Sequence, residues 1–181
     1  MKTNWVIDPT HSELGFKIKH LMITNVSGSI KNFHVEAETK GDDFTTANIS
    51  LTADMNSIST NNEQRDAHLR NGDFFEVEAY PQLRFQSTKI ERTGSDTFYL
   101  HGDLTIKGQS RPVKLTVEYS GVTKDPWGGE RVGFVVSGKI NRYNWGISFN
   151  GAMETGGLML GEEVKIQGEV QLVKQLEAVT A

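Results

Sequence analysis

The chain of 181 residues contains no cysteine. This absence excludes a disulfide framework, a thiolate metal site and a cysteine nucleophile. No run of apolar residues approaches the length of a membrane-spanning helix, and the amino terminus lacks the apolar core of a secretory signal. From the sequence as it begins here, we expect a cytoplasmic protein without a transmembrane segment.

Clustered positive charge is also missing. The 19 basic and 23 acidic residues give a net charge of -4, and the basic residues are spread along the chain, which argues against a nucleic-acid partner. The sequence contains no G-x-S-x-G, H-E-x-x-H, G-x-G-x-x-G or Walker motif. None of the five histidines has the spacing of a paired metal ligand. We therefore expect no catalytic residues, no cofactor and no metal site.

What the sequence does contain is a period-two alternation of apolar and polar residues. Leu14, Phe16 and Ile18 share one face of a segment whose other face carries Lys17 and Lys19, as in a half-buried strand. The same alternation recurs at 33–37, 47–55, 83–85, 98–106, 113–119, 132–140, 145–149 and 164–172. Short turns join these strands, and no linker divides residues 1–181. The pattern gives eight or nine strands and predicts an all-β, single-domain antiparallel barrel of eight strands, because closure removes exposed sheet edges.

One segment interrupts the alternation. Thr60 followed by Glu63 resembles a capping box, and Gly72 stands where a helix would end. We expect one short helix over residues 61–71. Since it is polar nearly all round, it should lie on the surface or over a barrel mouth.

An eight-stranded barrel can be filled by side chains or can hold one ligand, so strand number does not decide between core and container. Glycines fall on the apolar strand faces at Gly102, Gly121, Gly138 and Gly168. Such glycines mark either bends of the barrel or the close approach of a ligand, and the sequence leaves both interpretations open.

Several blocks of residues, in order, resemble the YceI-like family over roughly residues 5–173. They are Trp5 to Ser12 followed by Phe16, Arg65 to Leu69 followed by Phe74 and Phe75, Gly102 to Gly108, and Arg142 to Gly146. The resemblance implies an extended, lipocalin-like barrel whose apolar tunnel binds a polyisoprenoid, often in a homodimer. It also implies that many relatives are periplasmic.

On this basis we expect three groups of site residues. The inward positions that should contact an apolar chain are Phe16, Ile18, Leu51, Phe85, Phe98, Leu100, Phe134 and Val136. Phe74 and Phe75, or the 151–161 loop with Met153, Leu158, Met159 and Leu160, could form a lid. Candidates for contact with a polar head group are Arg65, His68 and Arg70, although Arg65 or Asp66 could equally hold the helix to a strand.

The sequence thus predicts a protein that binds a long apolar lipid for storage, transport or stress protection. The lipid would be a polyisoprenoid, or an isoprenoid quinone or pyrophosphate. Two alternatives stay open. One is an enzyme that acts on a lipophilic substrate through His11, His68 or Asp66. The other is a scaffold whose barrel is filled by its own side chains.

Overall fold

The computed structural model describes residues 1–151 and 159–175. The candidate lid residues Met153 and Leu158 therefore lie outside the described residues. The strands are β1 Lys2–Ile7, β2 Glu13–His20, β3 Thr24–Ile30, β4 Phe33–Lys40, β5 Asp43–Asp54, β6 Ile58–Ser59, β7 Gln82–Arg92, β8 Thr97–Ile106, β9 Gln109–Lys124, β10 Glu130–Asn141 and β11 Leu160–Lys174. The helix α1 spans Glu63–Arg70, and three 3-10 turns span Pro9–His11, Met55–Ser57 and Arg142–Trp145.

All eleven strands belong to one antiparallel sheet, in the order β1-β4-β5-β7-β8-β9-β10-β11-β2-β3-β6. Strand β1 pairs with β4 on one side and with β11 on the other, which closes eight strands into a barrel. The expected fold class is therefore confirmed. The remaining strands β2, β3 and β6 extend the sheet from β11.

The barrel is extended because one long strand pairs with two shorter ones. The carboxyl-terminal part of β11 pairs with β1, where Leu172 lies opposite Ile7. Its amino-terminal part pairs with β2, where Glu169 lies opposite Glu13. The 3-10 turn at Pro9–His11 separates the two segments. Strands β2, β3 and β6 therefore lengthen the wall at one end of the barrel, where α1 follows β6.

Helix α1 lies in the predicted segment but begins differently. Its amino-terminal cap is Asn62, whose side chain accepts a hydrogen bond from the Arg65 amide at 3.0 Å. Thr60 is instead buried, and its amide and hydroxyl both donate to the Asp66 carboxylate, at 2.8 and 2.5 Å. Thr60 is thus unavailable as a cap because it fastens the helix to the residues that follow β6.

The strand expected over 145–149 is wrong. The Asn141 side chain accepts a hydrogen bond from the Tyr143 amide and starts the 3-10 turn at Arg142–Trp145. Gly146 then ends this turn with φ +74°, a left-handed conformation that glycine adopts without steric cost. The indole of Trp145 is nevertheless buried and donates to the Leu104 carbonyl at 2.9 Å.

Buried side chains fill the end of the barrel away from α1. Trp5 is 1% exposed and donates from Nε1 to the Thr39 hydroxyl at 2.9 Å. The Phe44 ring lies 5.0 Å from the Trp5 ring, and Val132 and Leu172 complete this cluster. The interior is therefore closed at this end. None of the described helices has the length and hydropathy that crossing a bilayer would require.

Candidate functional site

An apolar chamber of about 190 Å³ lies inside the barrel. Every described residue that lines it is apolar or glycine. The inward-facing side chains of β5, β7, β8 and β10 supply Leu51, Phe85, Phe98, Leu100, Phe134 and Val136. The alternation of these strands explains the lining, because every second side chain points to the interior. The chamber is thus a dry space built from aliphatic and aromatic groups.

A second chamber, of about 290 Å³, lies at the end of the barrel next to α1. Ile18 on β2, Phe74 and Phe75 after α1, and Trp145 and Ile147 after β10 provide its apolar walls. Its polar lining consists of His20, Thr60, Arg65, His68 and Arg142. The two chambers meet at Phe16, which lines both of them. The interior therefore has a wholly apolar part followed by a part with polar groups.

The eight inward positions expected to contact an apolar chain, and the lid candidates Phe74 and Phe75, all line at least one of the two chambers. Phe85, Phe98 and Leu100 are buried, whereas Leu51, Phe134 and Val136 are only half-buried although they face the interior. Protein interiors are close-packed and contain few voids larger than a water molecule. An engineered apolar cavity of about 150 Å³ stays dry and takes up benzene. The observed chambers exceed that size, which favours a container over a filled core.

The three candidates for head-group contact lie in different settings. Arg65 lines the second chamber, and its Nε and Nη2 donate to the hydroxyl and carbonyl of Thr60, at 2.7 and 2.8 Å. His68 also lines this chamber, with Nε2 2.9 Å from Asp73 Oδ2. Arg70 pairs with Glu63 at 2.8 Å and lines neither chamber. The structure thus brings Arg65 and His68 together and separates Arg70 from them.

Sequence reasoning missed Arg142, which lines the second chamber and is 4% exposed. Burial lowers the pKa of its guanidinium, because removal from water disfavours the charged form. Strand alternation could not have found this residue, since β10 ends one position earlier and the turn that follows has no alternating faces. The clue in the sequence was that Arg142 begins the Arg142 to Gly146 block, one of the blocks on which the family resemblance rests.

Of the four glycines on the apolar faces, Gly121 forms a bend, and the other three make room for neighbouring protein atoms. A Cβ atom on Gly102 would lie 2.3 Å from Cζ of Phe85, so this glycine makes room for an aromatic ring of the chamber wall. Gly138 similarly accommodates Leu115. Gly121 has φ +83° beside the register shift between β9 and β10, and therefore forms a bend. At Gly168 a Cβ would lie 3.1 Å from the Glu13 carbonyl, which reflects the close approach of β2.

The candidate acid or base residues are engaged in local contacts. His11 lies 2.9 Å from Asp8 and lines neither chamber, and Asp66 is held by Thr60. Within residues 1–151 and 159–175, no three His, Asp or Glu side chains are grouped so that they could hold a metal ion.

A larger open groove, of about 1270 Å³, lies along β2, β3 and β9 to β11 and shares Phe16 and Ile166 with the interior chambers. Its polar lining includes five lysines, four serines and the carboxylates of Glu13 and Glu169; the lysines are Lys17, Lys31, Lys114, Lys139 and Lys165. This groove cannot supply the dry environment that an apolar ligand needs, so the interior chambers are the candidate site.

Comparison with known proteins gives consistent matches over nearly the whole chain. The model of the YceI-like domain matches residues 5–172. A UPF0312 protein of Staphylococcus aureus strain N315 is 42% identical over 170 residues, which cover 93% of this chain and 96% of that protein.

Two solved structures show the same fold. The Campylobacter jejuni YceI protein is 31% identical, with a TM-score of 0.77 over 94% of this chain and 97% of that one. A polyisoprenoid binding domain from Saccharophagus degradans superposes with a TM-score of 0.69 over 94% of this chain and 98% of that one, and is 13% identical. At that identity the likeness shows the fold alone.

Proposed function

The chain belongs to the YceI-like family, and from that premise we propose that it binds a long apolar lipid, a polyisoprenoid, inside the barrel. The observation that carries this proposal is the chamber of about 190 Å³ lined only by apolar residues and glycine. A hydrocarbon chain fits such a space, because the walls offer contact without any hydrogen-bonding group that would need a partner.

The affinity would come mainly from the tail. Each methylene transferred from water to an apolar environment contributes about 0.8 kcal/mol, so even ten buried carbons supply several kcal/mol. The second chamber continues the path towards α1 and carries the polar groups. We therefore expect the tail to enter past Phe16 and the polar head to stay beside α1.

The fold shared with the Saccharophagus polyisoprenoid binding domain supports an isoprenoid as the ligand. The proposed physiological roles are storage, transport or protection under stress, and the proposed assembly is a homodimer, as the family resemblance implies.

The test is extraction of lipid from protein purified without detergent, followed by mass spectrometry, with native mass spectrometry of the intact complex. We expect a stoichiometric ligand whose mass fits a series of isoprene units. The native spectrum also reports whether two chains associate. A protein that is empty, and that takes up no added polyprenol, would contradict the proposal and favour a filled barrel.

A pair of neighbouring residues provides a matched test of the chamber. Phe134 faces the interior, 5.1 Å from the Phe44 ring, whereas the adjacent Val135 is 39% exposed on the outside. Phe134→Lys should abolish lipid retention, and Val135→Lys should leave it unchanged. Because a buried lysine can also unfold the barrel, Val136→Phe provides a second variant that fills the chamber without charge. Full retention in both folded interior variants would place the lipid elsewhere.

A further inference from the structure

Arg142 is the one buried cation among the residues that the structure describes. Its Nε donates to the Gly161 carbonyl at 2.8 Å, and its Nη1 donates to the carbonyls of Ile147 and Phe149, each at 2.9 Å. Its Nη2 has no hydrogen-bond partner, and no other buried side-chain nitrogen or oxygen of the described chain lacks one. The backbone thus fixes the guanidinium firmly while one of its donor groups stays unused.

The charge of Arg142 has no carboxylate in direct contact among the described residues, and the more distant Glu162 offsets only part of the lowering of its pKa by burial. No carboxylate within 4.0 Å pairs with it in the part of the chain described, and neither aspartate nor glutamate appears in the lining of the second chamber. Arg65 lines the same chamber and likewise has no carboxylate partner within the described ranges. Two arginines therefore face one small space to which none of the described aspartates or glutamates contributes.

Buried charges in proteins are normally paired, because removal of an ion from water is costly unless an opposite charge compensates for it. Backbone carbonyls satisfy three hydrogen bonds of Arg142 but carry no net charge. A neutral head group, such as an alcohol or a quinone carbonyl, could accept a bond from Nη2 but would leave the charge uncompensated. An oxyanion would accept a hydrogen bond from Nη2 and would also compensate the positive charge. The planar guanidinium suits carboxylate and phosphate oxygens, which can accept two parallel hydrogen bonds from it.

We propose that the second chamber is an oxyanion site, in which Nη2 of Arg142, with Arg65 at the mouth, binds the acidic head of the lipid, a phosphate or a carboxylate. This inference rests on the proposed function, because it assigns the head-group chemistry of the same ligand. It orients the lipid with its acidic head beside α1 and its tail beyond Phe16 in the apolar chamber.

The experiment compares probes that share one tail. Delipidated full-length protein is titrated with geranylgeranyl phosphate, with the corresponding C20 isoprenoid acid and with geranylgeraniol, and binding is followed by calorimetry. We expect both acids to bind at least tenfold more tightly than the alcohol, about the effect of one charge-assisted hydrogen bond. Equal affinities for acids and alcohol would overturn the oxyanion site while leaving the lipid-binding proposal intact. Failure of all three to bind would instead contradict the proposed function itself.

Inorganic phosphate alone distinguishes a lipid head from a free anion. We expect millimolar phosphate to leave the affinity for geranylgeranyl phosphate nearly unchanged, since the free anion lacks the contribution of the tail. If free phosphate binds as tightly as the lipid phosphate, the site serves a soluble anion and the assignment to a lipid is wrong.

Two arginines provide matched variants. Arg142→Gln should abolish the preference for the acids, measured as the ratio of their affinities to that of geranylgeraniol. Arg111 is exposed, donates from Nε to the Asn144 carbonyl of the same 3-10 turn at 3.1 Å and lines neither chamber, so Arg111→Gln should keep the preference. A folded Arg142→Gln protein that still prefers the acids would overturn the role of Arg142. Should that variant not fold, the comparison of probes on the wild-type protein still decides the head-group chemistry.

Discussion

Phe16 on β2 lies directly opposite Ile166 on β11, and of the described residues these two alone line both interior chambers. The Phe16 ring rests against Gly28 of β3, where a Cβ atom would lie 2.4 Å from its Cζ. The pair therefore forms the partition between the wholly apolar chamber and the chamber with polar groups. Its position makes Phe16 the residue that should set how long a tail the protein accepts.

We expect Phe16→Ala to join the two chambers and to favour longer isoprenoid tails. Each additional pair of buried methylenes contributes about 1.6 kcal/mol, or more than tenfold in affinity. The measurement is a binding series with farnesol, geranylgeraniol and longer polyprenols. The affinity should continue to rise with tail length in the variant and level off earlier in the wild type. Removal of the partly buried ring should lower the free energy of unfolding by about 2 kcal/mol.

The control for this prediction is Ile18→Ala. Ile18 lies on the same strand and the same face but lines only the second chamber, so its removal enlarges one space without joining the two. An equal shift in tail-length preference in both variants would show that total volume, and not the partition at Phe16, sets the limit.

The Asp8 carboxylate should make the stability of the barrel depend on pH. It accepts hydrogen bonds from Thr10 at 2.7 and 3.0 Å, lies 2.9 Å from His11 Nδ1, and pairs with Arg131 on β10 at 2.6 Å. These contacts, those with Thr10 foremost, hold the pKa of Asp8 well below its ordinary value. Because the folded-state pKa is depressed, the stabilisation is complete above the unfolded pKa of about 4 and is lost as the pH falls towards the folded pKa.

We expect Asp8→Asn to lower the free energy of unfolding by about 2 kcal/mol at neutral pH, the typical contribution of hydrogen bonds to a charged group. The difference from the wild type should shrink below about pH 4, where the Asp8 carboxylate of the unfolded chain begins to be protonated while that of the folded chain stays ionised. Urea denaturation across this range is the measurement, with Asp103→Asn on the exposed side of β8 as the control. A difference that does not change with pH would mean that shape, and not charge, makes Asp8 stabilising.

Much of the chamber could be predicted from the sequence because strand alternation assigns faces. Phe85, Phe98 and Phe134 each fall in phase with other apolar residues, and all three face the interior. Phe74 and Phe75 also line the site, although they follow the helix and not a strand. Alternation, however, cannot show how much space remains between the side chains it directs inward.

The partition and the polar end could not be predicted in the same way. The partition depends on the pairing of Phe16 with Ile166, two residues far apart in the chain. Arg142 lies in a turn, where its exposure depends on the carbonyls of Gly161, Ile147 and Phe149 that surround it. Strand β3 was also not predicted, because its sequence Thr-Asn-Val-Ser-Gly-Ser-Ile is mostly polar and pairs with β2 through its backbone.

The hairpin between β2 and β3 contains a turn that should be open to stabilisation. Leu21 and Met22 have φ +53° and +60°, and the Ile23 amide donates to the His20 carbonyl at 3.1 Å. Leu21 and Met22 occupy the two central positions of this turn, and two successive left-handed residues there are typical of a type I′ turn, which favours Asn-Gly. Ile23 is a third loop residue, since Thr24 pairs with His20. A Cβ atom makes this conformation unfavourable by roughly 1–2 kcal/mol per residue, because it lies too close to the following carbonyl oxygen.

The double variant Leu21→Asn with Met22→Gly should therefore increase the free energy of unfolding by about 1–2 kcal/mol, measured by urea denaturation. The double variant Leu21→Ala with Met22→Ala is the control, because it removes the same exposed apolar side chains and keeps a Cβ at both positions. If the alanine pair stabilises the protein as much, the effect comes from apolar exposure and not from the left-handed backbone.

Gly102 on β8 should tolerate no side chain. A Cβ atom there would lie 2.3 Å from Cζ of Phe85 and 2.5 Å from the backbone oxygen of Gln86 on β7. The ring could turn aside into the apolar chamber, but the Gln86 oxygen could move only with the strand that carries it. Gly102→Ala should therefore lower the free energy of unfolding by about 1–3 kcal/mol, as overpacking does. It should also weaken polyprenol binding, because the displaced ring occupies space that the tail would use.

The matched control is Gly72→Ala after α1, where nothing lies within 4 Å of the added Cβ and φ is not positive. This change should be neutral or slightly stabilising, since alanine reduces the freedom of the unfolded chain. Denaturation and polyprenol titration of both variants form the measurement. A Gly102→Ala protein as stable as the wild type, with unchanged affinity, would mean that the chamber wall yields easily at Phe85. In that case the affinity of the wild-type protein should also level off only gradually with tail length, because a wall that accommodates a methyl group would accommodate a methylene of the ligand.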